Sequence, residues 1–162
     1  MNKYQLTGEY TCTLDAKGRL RLPVSLIRQM GHSGILEFAI NRGFEKHLMM
    51  YPKEVWGRKT KKINQLNIYN TKERQAIRYF YRGASIVGMD SADRILLPAS
   101  LIGYAGLSKS VVLFAYHEQI EIWSQEEYDK MLSQEPDSFD QIAEEVFGSN
   151  DGQDGQISSD EQ

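Results

Sequence analysis

"LDAKGRLRLP", residues 14–23, and "MDSADRILLP", residues 89–98, decide how this chain folds, because they are one segment written twice. Sliding the sequence along itself lays Gly8 on Gly83 and Gly31 on Gly106. Within that window Asp15, Arg19, Leu22, Pro23, Ser25, Leu26 and Ile27 meet Asp90, Arg94, Leu97, Pro98, Ser100, Leu101 and Ile102. Beyond one inserted residue the match continues more weakly, with "ILEFA" opposite "VVLFA" and "MMYPKEVW" opposite "EIWSQEEY". An internal match over such a distance marks two copies of one structural unit. The division it predicts is a first repeat over residues 1–56, a basic helical connection over 57–82 and a second repeat over 83–133. A C-terminal helix follows over 134–147, then an acidic, disordered tail over 148–162.

Local signals give each copy the same order of elements. "EYTCTL" has strand character, and Asp-Ala-Lys-Gly sets Asp15 first and Gly18 fourth in a type I turn, so the returning "RLRLP" is expected to close a hairpin. Pro23 suits the first turn of a short helix through about Met30, and Gly31 suits its stop. Two further strands follow, "ILEFAI" and "HLMMY". In the second copy Asp93 replaces Gly18, and Asp tolerates the left-handed region better than most residues. Asn70 with Glu73 resembles a capping box opening a helix whose Ile77, Phe80 and Tyr81 form an apolar stripe, while Arg74, Arg78 and Arg82 follow as a row. Ser124 with Glu127 opens another capped helix, and Phe139, Ile142, Val146 and Phe147 space out a final amphipathic one. These elements amount to an α+β chain, mainly β.

The 162 residues, 41% of them hydrophobic, suffice for one ordinary domain or two small ones sharing a core. No apolar run approaches the roughly 20 residues of a membrane span, and "MNKYQLTGEY" lacks the apolar stretch of a secretory signal, so a cytoplasmic protein with no membrane partner is expected. The single cysteine, Cys12, excludes an internal disulfide and reads as a small packed residue. The net charge of −3 hides a sharp asymmetry: residues 1–82 hold 16 Lys/Arg against 6 Asp/Glu, residues 83–162 hold 3 against 16. A chain that turns one face to a polyanion and carries a solubilising acidic end divides its charge in this way.

The turn carries chemistry as well as shape. Asp15 and Asp90 can accept hydrogen bonds from the backbone N–H groups of their own turns, which with Gly18 makes them turn braces. Arg19 has no such local necessity. Lys17, Arg19 and Arg21 alternate along one face, so three cations can project beside exposed backbone N–H groups, a surface that suits phosphate oxygens and can read guanine. From Asp15 to Arg21 the net charge is +2, whereas its counterpart from Asp90 to Leu96 sums to −1. DNA binding is therefore expected to concentrate in the first copy, with Arg94 acting more on stability. No metal, cofactor or catalytic residue is assigned: His32, His47 and His117 lie in different segments without ligand spacing, and neither a phosphate-binding glycine loop nor a nucleophile in a recognisable setting is found. The chain reads as a non-enzyme.

"GEYTCTLDAKGRLRLP", "GMDSADRILLP", "EIWS" and the doubled Asp-x-x-x-Arg signature resemble the MraZ family, from about Gly8 to Phe147. One copy alone would resemble only the wider AbrB/MazE group. The resemblance implies a swapped-hairpin, AbrB-like (SpoVT/AbrB) β-barrel built from two tandem repeats with peripheral helices, and association into a ring-shaped homo-oligomer. It also implies a nucleoid-associated transcriptional regulator, acting as a repressor, that recognises short direct repeats of double-stranded DNA upstream of its own division and cell-wall operon. The family signature falls on Asp15 and Arg19, and on Asp90 and Arg94, so Lys17, Arg19, Arg21 and Arg94 are the expected DNA contacts. Asp93 departs from the usual Gly. A second reading of the same fold is an antitoxin-like or scaffolding module that grips a protein.

Overall fold

The duplication is visible in the order of elements of the computed structural model, which describes residues 4–31, 36–134 and 139–151. The first copy supplies β1 (Leu6–Thr13), β2 (Arg19–Arg21), α1 (Val24–Gln29), β3 (Glu37–Arg42) and β4 (Leu48–Pro52). Two helices follow, α2 (Lys53–Ile63) and α3 (Thr71–Tyr81). The second copy repeats the order with β5 (Ser85–Gly88), β6 (Arg94–Leu96), α4 (Ala99–Ala105), β7 (Ser110–His117) and β8 (Gln119–Ser124). Then come α5 (Gln125–Ser133) and α6 (Phe139–Asp151). The chain divides into two units, Met1–Asp129 and Lys130–Gln162. The fold is α+β, dominated by antiparallel sheet.

Strand pairing departs from the expected hairpins in an instructive way. β1 pairs along its whole length with β7 of the other copy, and β5 pairs with β3. The larger sheet runs β1-β7-β8-β4-β3-β5, an order that reads the same when the copies are interchanged. β2 and β6 pair with each other as a separate ribbon, and β2 is joined to its own preceding strand by the bridge Leu14↔Leu20 and by the Asp15 N–H donating to the Arg19 carbonyl at 3.0 Å. The reason is burial. A three-residue strand offers one inward side chain, and Leu20 and Ile95, which face each other in register, both reach zero exposure only when the two copies come together. Leu22, Leu26, Leu97 and Leu101 complete the same layer. Each such side chain contributes about 1.5–3 kcal/mol on burial, more than one forty-residue unit could gather around a single short strand.

The local punctuation behaves as its chemistry dictates. Gly18 (φ 82°) and Asp93 (φ 61°) occupy the left-handed position of the two turns. A Cβ on Gly18 would crowd Ile102 Cδ1 at 3.2 Å and the Leu97 carbonyl at 3.3 Å, so the first turn needs glycine for space as well as for φ. Pro23 and Pro98 hold extended φ/ψ at the N-caps of α1 and α4. Asn70 Oδ1 accepts from the Glu73 N–H at 3.1 Å, while the Glu73 carboxylate turns to the Asn67 N–H instead of closing a full box. Ser124 Oγ accepts from the Glu127 N–H at 3.0 Å.

The apolar stripe of α3 is core only in part: Phe80 stacks on Trp56 at 4.8 Å, whereas Tyr81 meets Trp56 edge-on and stays 37% exposed. α3 buries no residue fully, because it lies over one side of the sheet and keeps its polar face in water. Cys12 is a packed strand residue, and burial pushes its thiol up to about 11, which leaves it unreactive at neutral pH. In the second unit α6 continues to Asp151, one turn past the expected end at Phe147, because its i→i−4 bonds still close over polar residues. Residues 152–162, most of the expected tail, lie outside the described residues, as does His32.

Candidate nucleic-acid interface

The two signature turns are built alike, atom for atom. Asp15 Oδ1 accepts from the Lys17 and Arg19 N–H groups, both at 2.9 Å, and Oδ2 takes the Arg19 Nε–H at 2.7 Å. Asp90 Oδ1 accepts from the Ala92 and Arg94 N–H groups, both at 2.9 Å, and Oδ2 takes the Arg94 Nε–H at 2.9 Å. Asp15 and Asp90 are thus turn braces that also aim an arginine. Because Nε is committed, the guanidinium is held in place, and its Nη groups have no partner among the described residues. A pre-aimed fork of this kind suits bidentate acceptors such as phosphate or a guanine edge.

Cross-copy pairing then assembles these arginines. The ribbon register sets Arg19 opposite Leu96, Leu20 opposite Ile95 and Arg21 opposite Arg94. Strand alternation turns Leu20 and Ile95 inward, so Arg19, Arg21, Arg94 and Leu96 share the outer face. Two reciprocal bonds lock the ends: Leu22 N–H to the Asp93 carbonyl and Leu97 N–H to the Gly18 carbonyl, both at 2.9 Å. Arg21 and Arg94 oppose each other directly, a like-charge pair that costs stability in the free protein and is relieved when an anion lies across it. Lys17 stands exposed at the tip of the first turn. The ribbon therefore sets Arg19, Arg21 and Arg94 on one face, beside the turn whose tip carries Lys17, although binding was expected to concentrate in the first copy. Leu96, which sequence reasoning passed over, occupies the place of Arg21 in the second copy and is 59% exposed.

Electrostatics agrees with the bonding. The Arg19 backbone N–H, more than any other group, holds the Asp15 carboxyl below its usual range, helped by the Arg19 guanidinium and the Lys17 N–H against some desolvation. Asp90 is lowered likewise, first by the Arg94 N–H and then by the Ala92 N–H and the Arg94 side chain. A carboxylate whose folded pKa is depressed stabilises the fold above the ordinary value of about 3.9 and loses that contribution as pH falls through the folded value. The melting temperature is therefore expected to fall on acidification below about pH 4, and an Asp15→Asn, Asp90→Asn double variant should show less of that fall. An equal acid slope in the variant would mean that other carboxylates carry it.

Among the described residues no group of His, Cys, Asp and Glu could hold a metal ion, and His47 is instead buried and stacked on Trp123 at 4.3 Å. No helix among them is long and apolar enough to cross a membrane.

Comparison with known proteins points the same way. The family described as "MraZ protein, putative antitoxin-like" matches residues 5–79 and again residues 80–150, a division that coincides with the internal duplication. A protein of Christiangramia forsetii named "Transcriptional regulator MraZ" is 38% identical over 147 residues, which cover 90% of this chain and 95% of that protein. Another of that name from Natranaerobius thermophilus is 37% identical over 139 residues, covering 86% and 94%. A third, from Flavobacterium psychrophilum, is 36% identical over 144 residues, covering 88% and 92%.

Proposed function

Because the chain belongs to the MraZ family, we propose that it is a transcriptional regulator that binds double-stranded DNA through the β2–β6 ribbon. The observation that carries this reading is the cross-copy register, which gathers Arg19, Arg21 and Arg94 on one outward face with two of them already aimed by aspartate. Lys17 and Arg21 neutralise phosphates, the Asp-held forks of Arg19 and Arg94 read base edges, and Leu96 offers an apolar contact to a thymine methyl. No catalytic step is assigned.

The finer reading is repression of its own division and cell-wall operon through short direct repeats, by a ring-shaped homo-oligomer in the nucleoid. One ribbon carries few cations, so a single subunit binds weakly and useful affinity needs several subunits on adjacent repeats, which is what a ring would supply. The exchange of β1 and β5 between copies supports the swapped-hairpin, AbrB-like barrel as the architecture of each subunit. A footprint of the full chain on its own upstream DNA tests the proposal: evenly spaced short protected repeats are expected. Binding to a fragment with one repeat should be much weaker than to one with three at equal salt, and equal binding would overturn the avidity reading.

The antitoxin-like wording of the family description keeps a protein-gripping reading alive. It predicts no protected repeats, and a stoichiometric complex with a small protein encoded beside the chain.

A further inference from the structure

A cavity of about 790 Å³ lies against the larger sheet, lined by residues of α2 and α3 and by none of the ribbon. Its volume falls in the range of small-molecule sites, roughly 300–1,000 Å³. The register explains its floor: Asn41 opposes Met49, Ala39 opposes Tyr51 and Met49 opposes Glu121, so Asn41, Met49, Tyr51 and Glu121 share one face. Tyr51, Tyr79 and Phe80 supply aromatic walls.

Two polar side chains on that floor are nearly fully buried, Asn41 and His47, each 4% exposed. Asn41 Nδ2 donates to the Phe80 carbonyl at 3.1 Å, which fixes the amide so that Oδ1 is the free acceptor. Asn41 Oδ1 and His47 Nδ1 have no partner among the described residues. Arg42 Nε, on a third lining residue, is likewise unpartnered among the described residues. An unpaired buried polar atom costs about 1–3 kcal/mol, so a fold that keeps such atoms beside a cavity has use for a ligand that satisfies some of them. Gly43 helps to hold this arrangement, since any side chain there would run into the His47 ring. Burial pushes the imidazole toward its neutral form, against Glu121 and Glu45.

The wall facing the sheet is cationic. Arg58, Lys59 and Lys62 project from one side of α2 into the lining. Arg58 is committed to Glu118 at 2.6 Å, and Lys59 lies over the Tyr51 ring at 5.2 Å. Lys62 forms no ion pair among the described residues. The cavity thus combines aromatic walls for a flat ring, a buried acceptor for an N–H group, and lysines for an anion.

We propose that this cavity is a binding site for a planar, anionic small molecule of the nucleoside monophosphate class. The base lies among Tyr51, Tyr79 and Phe80 and donates an N–H to Asn41 Oδ1, and the phosphate meets Lys59 and Lys62. Such a ligand would tie α3 to the sheet that the ribbon's flanking strands continue from, giving the regulator an effector site separate from its DNA face.

The chain carries its own reporters. Both of its tryptophans stand one layer behind the cavity, Trp56 against Phe80 and Trp123 against His47. The full chain is titrated with AMP and UMP, with adenosine and uridine, and with inorganic phosphate, following tryptophan fluorescence and melting temperature. At least one monophosphate is expected to give a saturable change, with its nucleoside weaker by at least about tenfold, because the contacts to both lysines go with the phosphate, and phosphate alone without effect. Lys62→Glu should weaken the nucleotide by a similar factor and leave the nucleoside unchanged, and Tyr79→Ala should remove the response. Arg21→Ala should not alter it. The proposal is overturned if no probe responds at millimolar concentration, if nucleoside and nucleotide bind equally, or if phosphate alone reproduces the response. Loss of the response in Arg21→Ala would also overturn it, because the nucleotide would then sit on the ribbon.

Discussion

Replacing Arg19 with alanine should leave the protein folded and remove most of its specific DNA binding. The Arg19–Asp15 pair is a solvent-screened surface contact, with side chains 32% and 36% exposed, so its loss should cost the fold little. The effect on binding is larger, because a bidentate base contact is worth about 1–3 kcal/mol and is lost in every engaged subunit. With two subunits engaged, the fall is between about 30-fold and about 2 × 10⁴-fold. Lys17→Ala should differ in kind: it weakens all sequences alike and flattens the logarithmic salt dependence by about one unit per engaged ribbon. Arg94→Ala is the telling variant. Charge counted along the sequence assigns Arg94 mainly to stability, but the ribbon sets it opposite Arg21 on the same face, with the same aspartate brace as Arg19. A clear loss of binding is therefore expected, smaller than for Arg19 because its own turn carries Ala92 and Asp93 where the first turn carries Lys17 and Gly18. Operator titrations of the three variants, with a melting curve for each, decide the matter. An Arg94→Ala protein that binds fully but melts early would restore the one-sided reading.

What could be read from the sequence was what depends on neighbours in the chain. The doubled turn, the left-handed Asp93, the proline-led helices and the N-caps at Asn70 and Ser124 follow from local chemistry and stand in the structure, although Glu73 turns to Asn67 rather than completing the box at Asn70. Strand partners were not legible. Periodicity says which side of β2 is apolar but not which strand lies beside it, so a hairpin within the copy and a ribbon between copies write the same sequence. The candidate site inherited this ambiguity: its residues were visible singly, while their assembly into one face depended on a pairing some seventy residues away along the chain. The cavity was hidden for a related reason. Asn41 and His47 look like ordinary polar residues of short strands, and their burial arises only from distant chain, α3 at Phe80 for Asn41 and β8 at Trp123 for His47.

The ribbon's inner pair should be the most sensitive point of the fold. Leu20 and Ile95 are both at zero exposure and face each other in register, one from each copy. Truncating either to alanine removes buried volume where two backbones are already hydrogen-bonded and cannot close in, so each should cost about 2–5 kcal/mol. Against a typical total of about 5–15 kcal/mol, either change takes a large share of the stability. The double variant should cost less than the two single changes added, because the side chains share one contact and the second truncation enlarges an existing cavity. Leu96→Ala is the control. It neighbours Ile95 in sequence but lies on the outer face at 59% exposure, and should change stability by no more than about 0.5 kcal/mol. Denaturant unfolding reads all four proteins, with midpoints falling at unchanged slope where only stability is altered. Equal losses from Ile95→Ala and Leu96→Ala would mean that the faces of β6 are wrongly assigned. With them would go the outward grouping of Arg19, Arg21 and Arg94, since the same alternation that buries Leu20 and Ile95 is what turns the arginines to the solvent.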